Sequence, residues 1–397
     1  MQNHNKWTVS CPYQDRDMRI CADEDGIRAE FQDPRYSVAK LLQAPIAASP
    51  NCFYRANYQY KSENITCYVY YIWRNEDGKE LSKGYLQAGD RFTSPADAAS
   101  LTIEVLLTGK GAGTFRLTDL EIAEEGPYCP RNVRVCAIGY ELLNRELVTV
   151  PFEENVALTL REIDAVAHEK PDVILLTEAA FQTSEKISAG GSATPNRLDD
   201  VHVKALCEKA KEYGCYIVTS LRTVDEDGVL HNTCILINRE GSIQGTAHKT
   251  HLTIGEKERG MELGTELPVF DTDFGRIGML VCWEHFFPEA VRTLALKGAE
   301  LLLVPTHGFR LDRAAVRAME NGIYLATAHV RGADSVILDQ DGQVIADGRE
   351  KGYAVAEMDL NHKTMVQYLS SSSWSEPNNI YLNERHPAIY HFLCEQT

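Results

Sequence analysis

The sequence predicts two parts: an all-β sandwich over residues 1–126, and a layered α/β domain over residues 131–397. Three observations predict it. Up to about residue 122 the chain reads as strand-like runs punctuated by turn residues, with almost no helical periodicity. A cluster of breakers, Glu124-Glu125-Gly126-Pro127 with Pro130 close behind, marks a linker. From Val133 onward apolar strands alternate with segments whose apolar residues recur every three or four positions.

In the first part, Cys67 to Trp73 is aromatic and β-branched, as half-buried strands are. Leu101, Ile103, Val105 and Leu107 alternate with Thr102 and Glu104, and Phe115 and Leu117 alternate with Arg116 and Thr118. Glu76-Asp77-Gly78 and Gly111-Ala112-Gly113 are read as turns between these runs. In the second part, Val133–Ile138 reads as a strand, and Val156, Leu160, Ile163 and Val166 form one apolar helix face. Val173–Leu176 is a buried strand, and Val203, Leu206, Ala210 and Tyr213 mark a second helix. Tyr216–Thr219 and Thr233–Ile237 are strands, with Glu240-Gly241 turning into Ile243. Ile277–Val281, a helix from Pro288 to Lys297, and Leu301–Val304 form a strand–helix–strand unit. Strands follow at Tyr324–Ala328, Ser335–Leu338 and Tyr353–Met358.

The composition bounds the function. At 397 residues, 44% hydrophobic and 24% charged, the chain has ample core for two domains. The 40 basic and 57 acidic side chains leave a net charge of −17, which repels phosphate backbones and anionic lipid. Nucleic acid and membrane are therefore not expected as partners. The first twenty residues hold no apolar core of signal-peptide kind, and no stretch of about 18 apolar residues follows that could span a bilayer. Eleven cysteines, odd in number and partly inside apolar runs (Cys67, Cys136, Cys215, Cys234), suit reduced thiols in a cytoplasm.

Three polar residues stand where buried strands stop. Glu178 ends Val173-Ile174-Leu175-Leu176-Thr177, Lys249 follows the hairpin at Ala247-His248, and Cys282 ends Ile277-Gly278-Met279-Leu280-Val281, shortly before Pro288 opens a helix. Ligand sites in open α/β sheets lie at such carboxyl ends. Each has a bland reading as well: a strand-end cysteine is more often inert packing, a lone glutamate caps a helix or pairs on the surface, and a loop lysine is usually solvated. Together, a thiol, a base and a fixed cation are what acyl transfer requires.

The Glu178, Lys249 and Cys282 segments, in this order, resemble the nitrilase superfamily of carbon–nitrogen hydrolases. The resemblance extends to Val133–Ala167, Tyr216–Ser220, His231-Asn232-Thr233, Leu267–Thr272 with Phe274–Gly278, Ala318–Gly322, and Gly332–Ile337 with Asp341-Gly342. It also takes in the tail Glu384-Arg385-His386-Pro387, so that it covers about residues 131–390. It implies an αββα sandwich that pairs with a second subunit as a homodimer or higher homo-oligomer, working without metal or cofactor. By position, Cys282 is the nucleophile and Glu178 the general base, while Lys249 and the backbone N–H of Trp283 hold the oxyanion. A second carboxylate is expected between Lys249 and Cys282; Glu256 fits best, with Glu258 as rival. Trp283, Glu284 and His307 are expected to line the substrate pocket.

Departures from the family pattern shape the substrate expectation. Thr177 stands where relatives carry proline, and Phe181-Gln182-Thr183-Ser184 replaces the Gly-Tyr-Pro that follows the glutamate in many nitrilases. Trp283-Glu284-His285 resembles nitrilases proper, whereas Phe286-Phe287-Pro288-Glu289 resembles the amidase and carbamoylase branches. A small-molecule amide or N-carbamoyl substrate is favoured over a nitrile, with selectivity expected in the loops Thr183–Asn196 and His307–Arg313. His248, His251, His285 and His307 lie near these residues, but their spacing is a weak metal signal. The N-terminal part, with Phe92–Ala99, Leu101–Leu107 and Gly113–Leu117, resembles galactose-binding-like jelly rolls. Its tyrosines and Trp73 either stack on sugars or, more commonly for such residues, pack between strands. A rival of another class is therefore a non-catalytic protein that binds its ligand through the jelly roll.

Overall fold

The computed structural model describes residues 7–12, 16–23, 26–139, 152–181, 195–367, 374–376, 381–382 and 384–394. The chain divides into two compact units, Met1–Cys129 with Met365–Thr397, and Pro130–Thr364. The sequence predicts an α/β part that runs to residue 397, whereas the described residues from Met365 onward group with the N-terminal strands.

The first unit is built from β1 (Trp7–Ser10), β2 (Met18–Asp23), β3 (Gly26–Phe31), β4 (Tyr36–Gln43), β5 (Ile46–Ala47), β6 (Cys52–Arg74), β7 (Glu80–Leu86), β8 (Arg91–Thr93) and β9 (Ser100–Pro127). Its organising feature is the antiparallel pairing of the two longest strands, β6 and β9, from Cys52 opposite Pro127 to Arg74 opposite Ser100. Two sequence expectations are corrected here. Gly111-Ala112-Gly113 is no turn; it lies within β9, beside a register shift between Glu63 and Ile65. A Cβ at Gly113 would stand 2.8 Å from the Glu63 carbonyl oxygen, so the glycine serves close approach of β6 rather than chain reversal. Likewise Glu124–Pro127 does not break the strand pattern, because β9 continues through it; the division itself falls after Cys129, between the expected bounds of 126 and 131. By contrast, Glu76-Asp77-Gly78 does turn, between β6 and β7, where the Gly78 amide donates to the Asn75 carbonyl. Tyr54, Tyr71, Trp73 and Phe92 form the aromatic centre of this unit's core, and Tyr71 stacks on Phe92 at 4.9 Å.

In the second unit, β10 (Asn132–Ile138), β11 (Val173–Leu175), β12 (Tyr216–Val224), β13 (Leu230–Ile237), β14 (Ile243–His248) and a later strand at Tyr353–Asp359 form a six-stranded sheet. A second six-stranded sheet runs β15 (Val269–Asp271), β16 (Arg276–Met279), β17 (Leu301–Thr306), β18 (Tyr324–His329), β19 (Val336–Leu338) and β20 (Val344–Asp347). Their inner faces meet: Val135, Leu175, Val218 and Leu236 share one core with Ile277, Leu301, Leu303 and Ile337. On the outer face of the first sheet, Ile174, Ile217 and Ile235 pack under α1 (Phe152–Val166) and α2 (Val201–Tyr213), through Ile163, Val166, Val203 and Leu206.

A short α3 spans Ile254–Glu258. The outer face of the second sheet carries α4 (Pro288–Leu296), whose Leu294 lies so close to β16 that only a glycine fits at Gly278 without adjustment. Beside α4 stands α5 (Leu311–Asn321), which periodicity did not reveal because its buried positions are Ala314, Arg317, Ala318 and Asn321, two of them polar. The layers run helix, sheet, sheet, helix, and β10–β11–β12 and β16–β17–β18 are parallel. The carboxyl ends of β11, β16 and β17 therefore deliver Glu178, Cys282 and His307. No helix among the described residues is long and apolar enough to cross a membrane.

Candidate active site

Glu178 sits just past β11, where the chain still follows β12 through side chains. The Thr219 hydroxyl donates to the Thr177 carbonyl at 3.0 Å, and the Ala179 amide donates to the Ser220 hydroxyl at 3.0 Å. This holds the Glu178 carboxylate inside the unit, 6% exposed. Lys249 follows β14 and keeps its amide on the Asn232 carbonyl at 2.8 Å, which turns its side chain inward to 1% exposure. A lysine buried this deeply must be paired. Its ammonium donates to Glu178 at 3.0 Å and to Glu256 at 2.9 Å.

Glu256 owes its position to the start of α3. It is the third residue of a capping box: its Oε2 accepts from the Thr253 amide at 2.8 Å and from the Thr253 hydroxyl at 2.9 Å. The remaining oxygen, Oε1, takes Lys249 and the Asn232 amide. Glu258, two residues on, is exposed. Asn232 is the residue that sequence reasoning passed over: its Nδ2 donates to Glu178 at 2.9 Å and to Glu256 at 2.8 Å, bridging both carboxylates. The available signal was an amide side chain opening the otherwise apolar run to Ile237.

Cys282 stands after β16 with φ of 50°, a left-handed conformation that costs a non-glycine residue about 1–2 kcal/mol. Strain of this kind persists where surroundings over-determine it. Here the clamp is Glu284, 2% exposed. Its Oε2 accepts from the Val281 amide at 2.7 Å, and its Oε1 accepts from the Thr250 amide and hydroxyl, both at 2.7 Å. Glu284 thus ties the cysteine turn to the lysine loop with both oxygens engaged, where the sequence reading had it lining a pocket. Trp283, in contrast, is 38% exposed and stacks on Phe286 at 4.7 Å.

His307 brackets Glu178 from the other sheet. Its amide donates to Glu178 Oε2 at 3.1 Å, and its Nε2 donates to the Glu178 carbonyl at 3.0 Å. The other candidate histidines are engaged elsewhere: His248 stacks on His231, His251 stacks on Phe287, and His285 Nδ1 meets the Cys282 carbonyl. Residues 182–194, which hold most of one expected selectivity loop, lie outside the described residues. Among the described residues, no three His, Cys, Asp or Glu side chains gather as metal ligands.

The electrostatics follow from burial and pairing. Burial pushes the Cys282 thiol up, and the Glu178 carboxylate adds to this against the pull of Lys249, reaching about 11. Burial also works against the charge on Glu178, but Lys249 and His307 outweigh it and hold the carboxyl down at about 2. Glu256 is held below its usual range despite burial, by Lys249 and Asn232, and Lys249 is held above its own. Burial raises Glu284. The arrangement is a protonated thiol beside an ionised base, with a lysine fixed between two carboxylates. The thiol itself donates to the Gly308 carbonyl at 3.8 Å.

Comparison with known proteins bears on the family and the fold. A family model described as Carbon-nitrogen hydrolase matches residues 133–368. The chain is 34% identical over 200 residues to a nitrilase of Pyrococcus abyssi, a match covering 46% of this chain and 70% of that protein. It is 30% identical over 178 residues to the 2-oxoglutaramate amidase of Bacillus subtilis, covering 41% and 69%. Among solved structures, an amidase from Nesterenkonia sp. superposes with a TM-score of 0.53 at 22% identity, covering 66% of this chain and 96% of that one, and shows the fold.

Proposed function

The chain belongs to the carbon–nitrogen hydrolase family, and on that premise we propose that it cleaves an amide or N-carbamoyl bond of a small molecule through a thioester on Cys282. The observation that carries the reading is the buried Glu178–Lys249–Glu256 cluster acting on the Cys282 thiol. In the proposed sequence the thiol turns its proton from Gly308 to Glu178 as sulfur attacks the carbonyl carbon. Lys249, with the Trp283 amide, stabilises the oxyanion. Glu178 then hands its proton to the departing ammonia or amine, leaving the thioester. Water, deprotonated by the same carboxylate, attacks the thioester, and the acid and the free thiol are restored. Glu256 and Asn232 keep the lysine charged and in place. The protein is proposed to work in the cytoplasm as a homodimer or larger homo-oligomer; ten of the eleven cysteines are described as free thiols, which suits that compartment.

A nitrile substrate is the second reading, favoured by the Pyrococcus abyssi nitrilase relative. Matched amides, N-carbamoyl compounds and nitriles offered side by side, with ammonia counted and the intact mass of trapped enzyme measured, decide between them. Ammonia from amides and an acyl adduct lost in Cys282→Ala are expected. Turnover of nitriles alone overturns the amide preference. Full activity in Cys282→Ala overturns the thioester mechanism on Cys282, and turnover of none of the compounds by the parent favours the N-terminal unit as the functional part.

A further inference from the structure

Arg222 is a cation near the catalytic cluster that the reaction above does not use. It lies on β12 directly opposite Asn232 of β13, the residue that bridges Glu178 and Glu256. Along β12 the side chains of Tyr216 and Val218 face the inter-sheet core while Ile217 and Leu221 face the helices. Alternation therefore puts Arg222 on the inner face, the face from which Asn232 reaches the carboxylates. Its backbone is pinned, because its carbonyl accepts both the amide and the side-chain Nδ2 of Asn196 at 2.8 Å.

Its guanidinium is half-buried, yet it makes no hydrogen bond or ion pair with any described residue. Many other arginines in this acidic chain are paired, Arg131 with Glu300 and Arg239 with Asp172 and Asp273 among them. Burial works against the charge on Arg222, and so does the neighbouring cation of Arg259; Glu178 and Glu256 favour it only from beyond hydrogen-bond range. A half-buried guanidinium that no described residue pairs, with a second cation near it, is costly on its own and relieved by an anion. Arg is the side chain whose fork fits a carboxylate. The catalytic cluster itself, two ionised carboxylates around one ammonium, is net negative and repels an anionic substrate, so a second cation is what admits one.

We propose that Arg222, with Arg259 beside it, is the specificity determinant for a substrate bearing a carboxylate in addition to the bond that is cleaved. This deepens the proposed hydrolase reading and rests on it. The carboxylate can sit on the acyl portion, as in the monoamide of a short dicarboxylic acid, or on the leaving amine, as in an N-carbamoyl amino acid.

The test compares each of these with a neutral compound of matched size, in the wild type, Arg222→Gln and Arg222→Lys. Wild type favours the carboxylate member of at least one pair, and the pair that shows the preference identifies which portion carries the charge. In Arg222→Gln the ratio of kcat/KM for the charged over the neutral member falls about 10- to 100-fold, mainly through KM, as expected for one lost charged hydrogen-bonding partner. Arg222→Lys recovers part of the ratio. If wild type shows no preference, or if Arg222→Gln lowers both members equally, Arg222 serves only to tune Glu178 and the inference falls. If wild type releases ammonia or amine from none of the compounds, it is the hydrolase reading that fails.

Discussion

The proton shared between Cys282 and Glu178 rests on sulfur, because one group is pushed up to about 11 and the other is held down at about 2. The lysine that a simple view would credit with ionising the thiol spends its charge on the two carboxylates instead. Glu178→Gln therefore has two opposite effects. Acylation falls by about 10²–10⁴ with the loss of a general base. The thiol becomes more acidic, since a repelling carboxylate is gone while Lys249 stays. The thiolate absorbance of Glu178→Gln, taken as a difference from the same variant with Cys282→Ala, should show its midpoint at lower pH than in the parent. An unchanged or higher midpoint contradicts the assigned electrostatics. Glu178 and Cys282 were legible because each follows an apolar strand, and Lys249 because it follows a hairpin. Asn232 and Arg222 were not, since a polar residue within or opening a strand carries no mark of the neighbour it will meet.

At the scale of elements, the turn after β16 and the loop after β14 are held together by one carboxylate. Glu284 accepts from three donors, at Val281 and Thr250. In Glu284→Gln one end of the amide must present N–H to N–H, which costs about 1–3 kcal/mol. The melting temperature should fall by several degrees and turnover should fall with it, while Glu258→Gln, at an exposed position two residues past Glu256, should melt as the parent does. Calorimetry on the two variants checks this. The strained backbone of Cys282 allows a second comparison. Cys282→Gly and Cys282→Ala both lose the nucleophile, but glycine accepts the left-handed conformation without penalty, so it should be the more stable of the two by about 1 kcal/mol. Equal denaturation midpoints would remove strain from the account. The elements themselves were largely readable from periodicity. Where reading failed, tertiary contact had reassigned local signals: Gly113 makes room for the close approach of β6, and α5 buries an arginine and an asparagine in place of an apolar stripe.

For the whole molecule, the catalytic ion cluster links stability to pH. Glu178 is depressed from 4.5 to about 2 and Glu256 is depressed as well, so their contribution is present in full above pH about 4.5 and is lost as pH falls through the folded values. Glu284, raised by burial, works in the other direction. The drop in melting temperature between pH 7 and pH 3 should therefore be smaller in Glu178→Gln than in the parent, read by circular dichroism at both pH values. A parallel shift at both pH values contradicts the linkage.

The amino-acid sequence by itself determined the two-part layout, the alternation of strand and helix after residue 133, and the three strand ends that carry reactive groups. These follow from periodicity and from the rule that a charge at the end of a buried strand needs a reason, and both are local. Only the folded chain decided which groups meet: that Glu256 and not Glu258 reaches Lys249, that Asn232 joins the two carboxylates, and that Glu284 turns inward as a clamp. Such choices depend on which strands lie side by side and which face each residue takes, and a difference of two positions on a short helix separates a buried partner from a solvated one.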